Sequence, residues 1–362
     1  MAQNEIPLVK KRWTEGLTWY HWLVLAIACC GWMFDTMDQW LYVQAKTPAL
    51  KELVQIVHQS DPAFTQVMVT KEADGWVGIA QTCLIIGWAV GGLFFGMVGD
   101  RLGRTRTMSV TILIYAAGTG LSGLAQSPIQ FIILRFITGL GVGGEFAAGA
   151  SLVAETFPAH ARVMALSIVQ AMSAVGNIMA GVIYYYVGAN PEWGWRWVFA
   201  VGVIPAFLVG IIQFFIKEPE AWNKSKSAGE EMGNILRLFQ ERTLLRNTLI
   251  GVSLAAVGVV GFWGIGTWSA ELIRGALNPQ NLPELAKNVD QKMALCIMAQ
   301  NAGGFLGVML FSWVAQRFGR RPGFLISFVL CLIVIPVTFY CTHSFLTAII
   351  LFPLMGFSLL MI

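Results

Sequence analysis

Charge is scarce in this chain. Only 12% of its 362 residues are Asp, Glu, Lys or Arg, where a soluble domain carries about 25%. That excludes an ordinary water-exposed globule. Histidine is rarer still: His21, His58, His160 and His343 lie scattered, with no metal-ligand spacing. Neither do the six cysteines have it. Cys29, Cys30, Cys83, Cys296, Cys331 and Cys341 all fall in or at the ends of apolar runs. They read as small packing residues and not as a disulfide framework. No nucleotide-binding loop, no channel filter and no nucleophile–base constellation is present, so neither an enzyme nor a cofactor is expected. Gly139-Leu-Gly-Val-Gly-Gly144 matches G-x-G-x-x-G only literally. It lies inside an apolar run with no strand before it, which points to close helix packing. Gly87/Gly91, Gly92/Gly96 and Gly303/Gly307 are read the same way.

What the chain has in abundance is apolar length. Apolar residues make up 56% and the mean hydropathy is +0.64. A membrane-crossing helix needs about 20 such residues. Spans are expected near 20–43, 77–98, 108–126, 129–150, 164–187, 196–216, 248–272, 293–315, 323–341 and 345–362. The fold class is therefore an all-α polytopic membrane protein in a lipid bilayer. Most of its 24 lysines and arginines sit on one side: Lys10, Lys11, Arg12, Arg101, Arg104, Arg106, Arg162, Lys217, Lys224, Lys226, Arg237, Arg242, Arg246, Arg317, Arg320 and Arg321. Basic loops stay in the cytoplasm, so the N-terminus is expected inside a cell membrane. The net charge of +4 then needs no nucleic acid. Residues 44–75 become an external loop. Residues 217–247 become a cytoplasmic linker, with an interfacial amphipathic helix at Ile235-Leu236-Arg237-Leu238-Phe239 and Leu244-Leu245. Three units follow: 1–216 with six spans, the linker 217–247, and 248–362 with four spans. The run still apolar at Ile362 reads as a chain cut within its tenth span.

One stretch carries dense charge between two spans: Gly96-Met-Val-Gly-Asp100-Arg-Leu-Gly-Arg104-Thr-Arg106. It must form a tight turn in water. Gly99 and Gly103 are expected to supply the bends. A degenerate copy follows at Gln316-Arg317-Phe318-Gly319-Arg320-Arg321, which implies two homologous halves. GxxxDRxGR, its copy and the long loop after the sixth span resemble the major facilitator superfamily, over the whole chain. Arg135-x-x-x-Gly139-x-Gly141 and Glu155-Thr-Phe-Pro-Ala-His-Ala-Arg162 are similar to its fourth span and the following loop. The resemblance implies twelve spans in two six-helix bundles, with the substrate site between them at mid-membrane, here truncated at about ten. It also implies a cytoplasmic gate of Gly96, Asp100, Arg101, Gly103, Arg104, Glu155, Arg162, Arg317, Gly319 and Arg320. Phe34-Asp35-Thr-Met-Asp38 resembles organic-acid:proton symporters, including aromatic acid carriers. Trp193-Gly-Trp-Arg196 and Glu218-Pro-Glu-Ala-Trp222 resemble sialic acid and monocarboxylate carriers, and Gly143-Gly-Glu145 resembles metabolite:proton symporters.

Charges at membrane depth are costly, about 2.5–3.5 kcal/mol each, and face a cavity or a partner. Asp35 and Asp38 share a helix face. With Arg135 at matching depth they form an expected proton-coupling cluster, and Glu145, deeper, is a second carrier or a packing residue. A structural ion pair is the plainer alternative. Trp263, Trp268, Gln170, Asn177, Gln300 and Asn301 are candidate substrate contacts, or else packing and interhelical hydrogen bonds. The expected function is secondary active transport of a small organic metabolite, an organic acid, by proton symport, in a monomeric carrier. A sugar or other neutral solute is the alternative cargo. A receptor or channel on this scaffold is the alternative class.

Overall fold

The computed structural model describes residues 13–61, 63–190, 192–229, 233, 237–280 and 282–360. Lys10, Lys11, Arg12, Ile235, Leu236 and Ile362 lie outside the described residues, as do the side chains of Gln316 and Arg320. The described elements are helices throughout: α1 Trp19–Val57, α2 Gln66–Leu102, α3 Arg104–Ser122, α4 Pro128–Thr156 and α5 Ala159–Ile183, which runs on into one π turn at Tyr184–Gly188. Then come α6 Gly194–Val201, α7 Ala206–Phe215, α8 Glu220–Ser227 and α9 Arg237–Gln240. The last are α10 Arg242–Gly266, α11 Ser269–Leu277, α12 Pro283–Phe318, α13 Arg320–Cys341 and α14 Phe345–Leu360.

Ten rods occupy the ten expected places, the sixth as α6 plus α7 and the seventh as α10 plus α11. By length and composition alone, six stretches among the described residues are long and apolar enough to cross a membrane: Gln66–Leu102, Pro128–Thr156, Ala159–Gly188, Gly194–Phe215, Glu284–Phe311 and Arg321–Cys341. The buried Asp35, Asp38 and Lys46 of α1 make its composition atypical of a lipid-facing span.

Two expectations are corrected. The loop expected at 44–75 is mostly helix: α1 runs to Val57 and α2 starts at Gln66. Ala45, Ala49, Leu50, Leu53 and Val54 recur every three to four residues and are buried, so that face belongs inside the protein although its charges place it beyond the apolar core of a bilayer. Of the expected amphipathic helix, Ile235 and Leu236 lie outside the described residues, Arg237–Gln240 form α9, and Leu244 and Leu245 lie in the first turn of α10. The sixth span holds as Gly194–Phe215, with a break in its helix at Gly202–Pro205, where proline forces a new helix start.

Small residues set the closest approach. A Cβ on Gly91 would strike the Leu140 carbonyl, and one on Gly143 the Trp88 carbonyl, so α2 and α4 touch backbone to backbone. Gly303 and Gly307 do the same for α12 against the Pro353 and Phe357 carbonyls of α14. Gly96 meets nothing within 4 Å, so it takes no part in this packing. Gly103 (φ +113°) and Gly319 (φ +93°) both have left-handed backbone, the conformation glycine tolerates. Gly99 is helical within α2 and bends nothing.

Two apolar cores result. The first, with Val24, Met108, Ile112, Val142, Leu152, Ala165 and Ile212, is confined to α1, α3, α4, α5 and α7. The second runs from α1, α2 and α6 across to α11, α12, α13 and α14. The helices of the two halves thus share a core toward the end where α1 terminates. That end is called here the loop end, and the end holding Gly103 the turn end.

Candidate functional site

Asp35 lies on α1 and is fully buried. Its charged neighbours are Glu145 of α4 and Asp38, and its polar neighbour is Tyr115 of α3. Glu145 reaches it because Gly31, one turn earlier on α1, has no side chain. A Cβ there would strike Glu145 Oε1. Neither Asp35 oxygen makes a hydrogen bond, and neither does the Tyr115 hydroxyl. Glu145 also lines a cleft of about 250 Å³ with Ala28, Trp32, Gly149, Val169 and Gln170.

Arg135 takes a different place from the one expected. It is fully buried on α4 and donates to Ser122 Oγ at 2.6 and 3.2 Å and to the Gly118 carbonyl at 3.2 Å. Its guanidinium carbon sits 4.8 Å from the Phe199 ring centre and 5.6 Å from those of Tyr42 and Phe131. Asp38, next to Thr119 and Gly202, is the carboxylate that feels its charge, without a direct salt bridge. The expected single cluster is therefore two: Asp35 with Glu145, and Asp38 with Arg135. The reason is helix geometry. Three residues turn α1 by about 300°, enough to aim the two aspartates at different neighbours.

The loop end is tied across the halves. Lys46 of α1, fully buried, donates to the Thr267 carbonyl at 2.9 Å and stands 3.7 Å from Glu271 of α11. Thr47 donates to the same Glu271 oxygen at 2.7 Å. Arg274 donates to Asp290 of α12 at 2.8 Å, to the Gln44 carbonyl at 2.6 Å and to the Tyr184 hydroxyl at 2.8 Å. The sequence analysis missed Lys46, Glu271, Arg274 and Asp290. A lysine eight residues past Asp38 was the available signal, hidden by ending the span at 43.

At the turn end Arg104 bridges Asp100 at 2.5 Å and Glu155 at 2.8 Å. Arg162 is not in this cluster; it donates weakly to the Phe157 carbonyl at 3.4 Å. Arg101 lies beside Gly233, and Arg317 stands over the Phe318 ring at 5.8 Å. Glu218 joins instead. Its carboxylate accepts from the backbone N–H groups of Thr105 and Arg106, each at 3.2 Å, and so caps the positive end of α3. Trp222 Nε1 donates to the Asp100 carbonyl at 2.7 Å. These bonds pin the segment after α7 to the turn. Glu218→Gln should cost about 1 kcal/mol and lower Tm by about 2–4 °C, while Glu220→Gln, exposed two residues on, should not. Equal melting of both variants in detergent would count against the cap.

The remaining candidates divide. Asn177 of α5 donates to Asn301 of α12 at 2.8 Å, closing an interhelical bond between the halves. Gln300 is buried with Oε1 unbonded. Gln170 is exposed along the cleft. Trp263 packs edge-on against Trp88 at 5.2 Å, and Trp268 carries the Lys46 ammonium 4.8 Å above its ring. Among the described residues no group of three metal-ligating side chains occurs.

Comparison with known proteins matches residues 28–362 to the Major Facilitator Superfamily. The chain is 30% identical over 333 residues to the sialic acid transporter NanX of Escherichia coli, covering 91% of this chain and 74% of that one. It is 29% identical over 250 residues to the cis,cis-muconate transport protein of Acinetobacter baylyi, over 67% of this chain; the match spans only 58% of that relative's length. Among solved structures it is similar to the xylose transporter XylE from E. coli in a partially occluded inward-open conformation. There the TM-score is 0.65 and the identity 20%, over 94% of this chain and 84% of that one.

Proposed function

Because the chain belongs to the Major Facilitator Superfamily, a family of multi-pass membrane transporters, we propose that it moves a small organic acid across the membrane by alternating access, in symport with a proton. The observation that carries this is the Asp35–Glu145 pair. Two carboxyls are enclosed together, with an acid and not a base as their next charged neighbour. Two bare charges there would be unsupportable, so the pair is built to hold a proton and to release it when its surroundings open. Sialic acid and cis,cis-muconate, the cargoes in the relatives' names, share a carboxylate, which favours an acid over a sugar.

The basic turn end is taken as cytoplasmic, with the N-terminus inside, and the loop end as outer. The outer latch and the shared second core close that side, while the first core stays within one half. The form described is thus the inward-facing one. A monoanion carried with one proton is electroneutral and draws on the pH gradient alone. A neutral solute with a proton would gain about 2.3 kcal/mol per 100 mV as well.

The test is uptake of labelled cis,cis-muconate, sialic acid and benzoate into proteoliposomes holding the full-length carrier. A pH gradient, acid outside, is imposed with the membrane voltage clamped at zero. Concentration of an acid driven by external acidity supports the reading. Uptake that never exceeds equilibrium would favour a receptor or channel; in a second arm with an imposed voltage, accumulation that rises with voltage as well as with the pH gradient would favour a neutral cargo.

A further inference from the structure

Lys46 is the most deeply enclosed cation near the contact between the halves. Its ammonium has two partners there, a backbone carbonyl on the far half at 2.9 Å and the Glu271 carboxylate at 3.7 Å. Both partners belong to α10–α11, and Lys46 belongs to α1. When the loop end opens, α1 must part from α11, and both contacts break together. A lysine fully buried in the closed form is then left without its carboxylate in a vestibule facing outward. Glu271 keeps one oxygen unbonded even in the closed form, so its grip on the site is incomplete. The Trp268 ring stands beneath the ammonium at 4.8 Å, which adds an apolar face beside the charge. Arg274 behaves differently: its bond to Asp290 lies within its own half and survives opening.

We propose that Lys46 captures the carboxylate of the organic acid when the loop end is open, and that Glu271 displaces it as that end closes. This rests on the acid-transport reading above. The exchange is one carboxylate for another on one ammonium, so Lys46 keeps a carboxylate partner at both stages. The internal carboxylate is tethered and therefore at high effective concentration, which pushes the cargo onward instead of back. Thr47 of α1, bonded to the same Glu271 oxygen at 2.7 Å, rejoins Glu271 on closure and fixes it once the cargo has been displaced.

The experiment uses the full-length carrier in proteoliposomes and whichever of cis,cis-muconate, sialic acid and benzoate the wild type takes up best. Lys46→Met should raise the external KM about tenfold or more, the loss of one charge-assisted bond. Lys46→Arg should restore most of it. Methyl esters of the same acids should compete weakly with the acid on wild type and no more weakly on Lys46→Met. Glu271→Gln should lower the external KM while slowing turnover, because cargo is captured but not displaced. An unchanged KM in folded Lys46→Met, or equal competition by acid and ester on wild type, would overturn the proposal while leaving acid transport intact. Failure of wild type to take up any of the three acids would overturn the reading beneath it. If Lys46→Met does not fold, Glu271→Gln decides: an unchanged KM there overturns the exchange.

Discussion

Asp35→Asn should abolish uphill uptake while sparing exchange. In the wild type each unit of pH gradient supports about tenfold accumulation of an acid moved with one proton. In Asp35→Asn that ratio should fall to equilibration. Counterflow, in which labelled cargo enters against unlabelled cargo, should persist because it needs no net proton movement. The amide mimics a protonated acid and keeps the shape of a side chain buried between α1, α3 and α4. Glu145→Gln should impair coupling too, since the two carboxyls face one another with Gly31 making room for the contact. Uptake per folded carrier, with and without the gradient, is the measurement. Should Asp35→Asn still concentrate its cargo, Glu145 alone carries the proton, and the double variant would show it. Should both variants vanish from the membrane, the pair is a structural element and the coupling role falls.

Arg135→Met should be the most damaging single change to stability. It removes a fully buried guanidinium with bonds to Ser122 and the Gly118 carbonyl. It also leaves Asp38 enclosed with no hydrogen bond to either oxygen. Stranding one partner of a buried charge pair costs about 3–5 kcal/mol, enough to deplete the folded population. Asp38→Asn in the same chain should recover much of the loss, because no charge is then left alone. Asp38→Asn by itself should slow transport with little effect on coupling. Melting of the four proteins in detergent closes the cycle. If the second change rescues nothing, Asp38 and Arg135 are independent, and the aromatic cage of Tyr42, Phe131 and Phe199 alone explains the arginine.

The primary sequence by itself determined the class of this protein. Scarce charge and long apolar runs leave bundled helices as the one way to satisfy the backbone in lipid. The charged turn and its copy were legible because both need glycine at one position, and Gly103 and Gly319 indeed carry the positive φ. The close packing of Gly87, Gly91, Gly139 and Gly143 was legible from spacing alone, since four residues return to one helix face. The pairing of the membrane charges was not. Asp35, Asp38, Arg135 and Glu145 were all visible as costly residues, but depth along a span does not fix direction around it. Only the packed helices aim Asp35 at Glu145 and Asp38 at Arg135. The outer latch was hidden for a related reason. Lys46, Arg274 and Asp290 look like ordinary loop charges, and Glu271 like a residue near the end of a span, until α1 is seen to run on to Val57 and to meet α11. Contacts between residues more than two hundred positions apart, such as Lys46 with Thr267, follow from how the halves dock, and no local pattern encodes that.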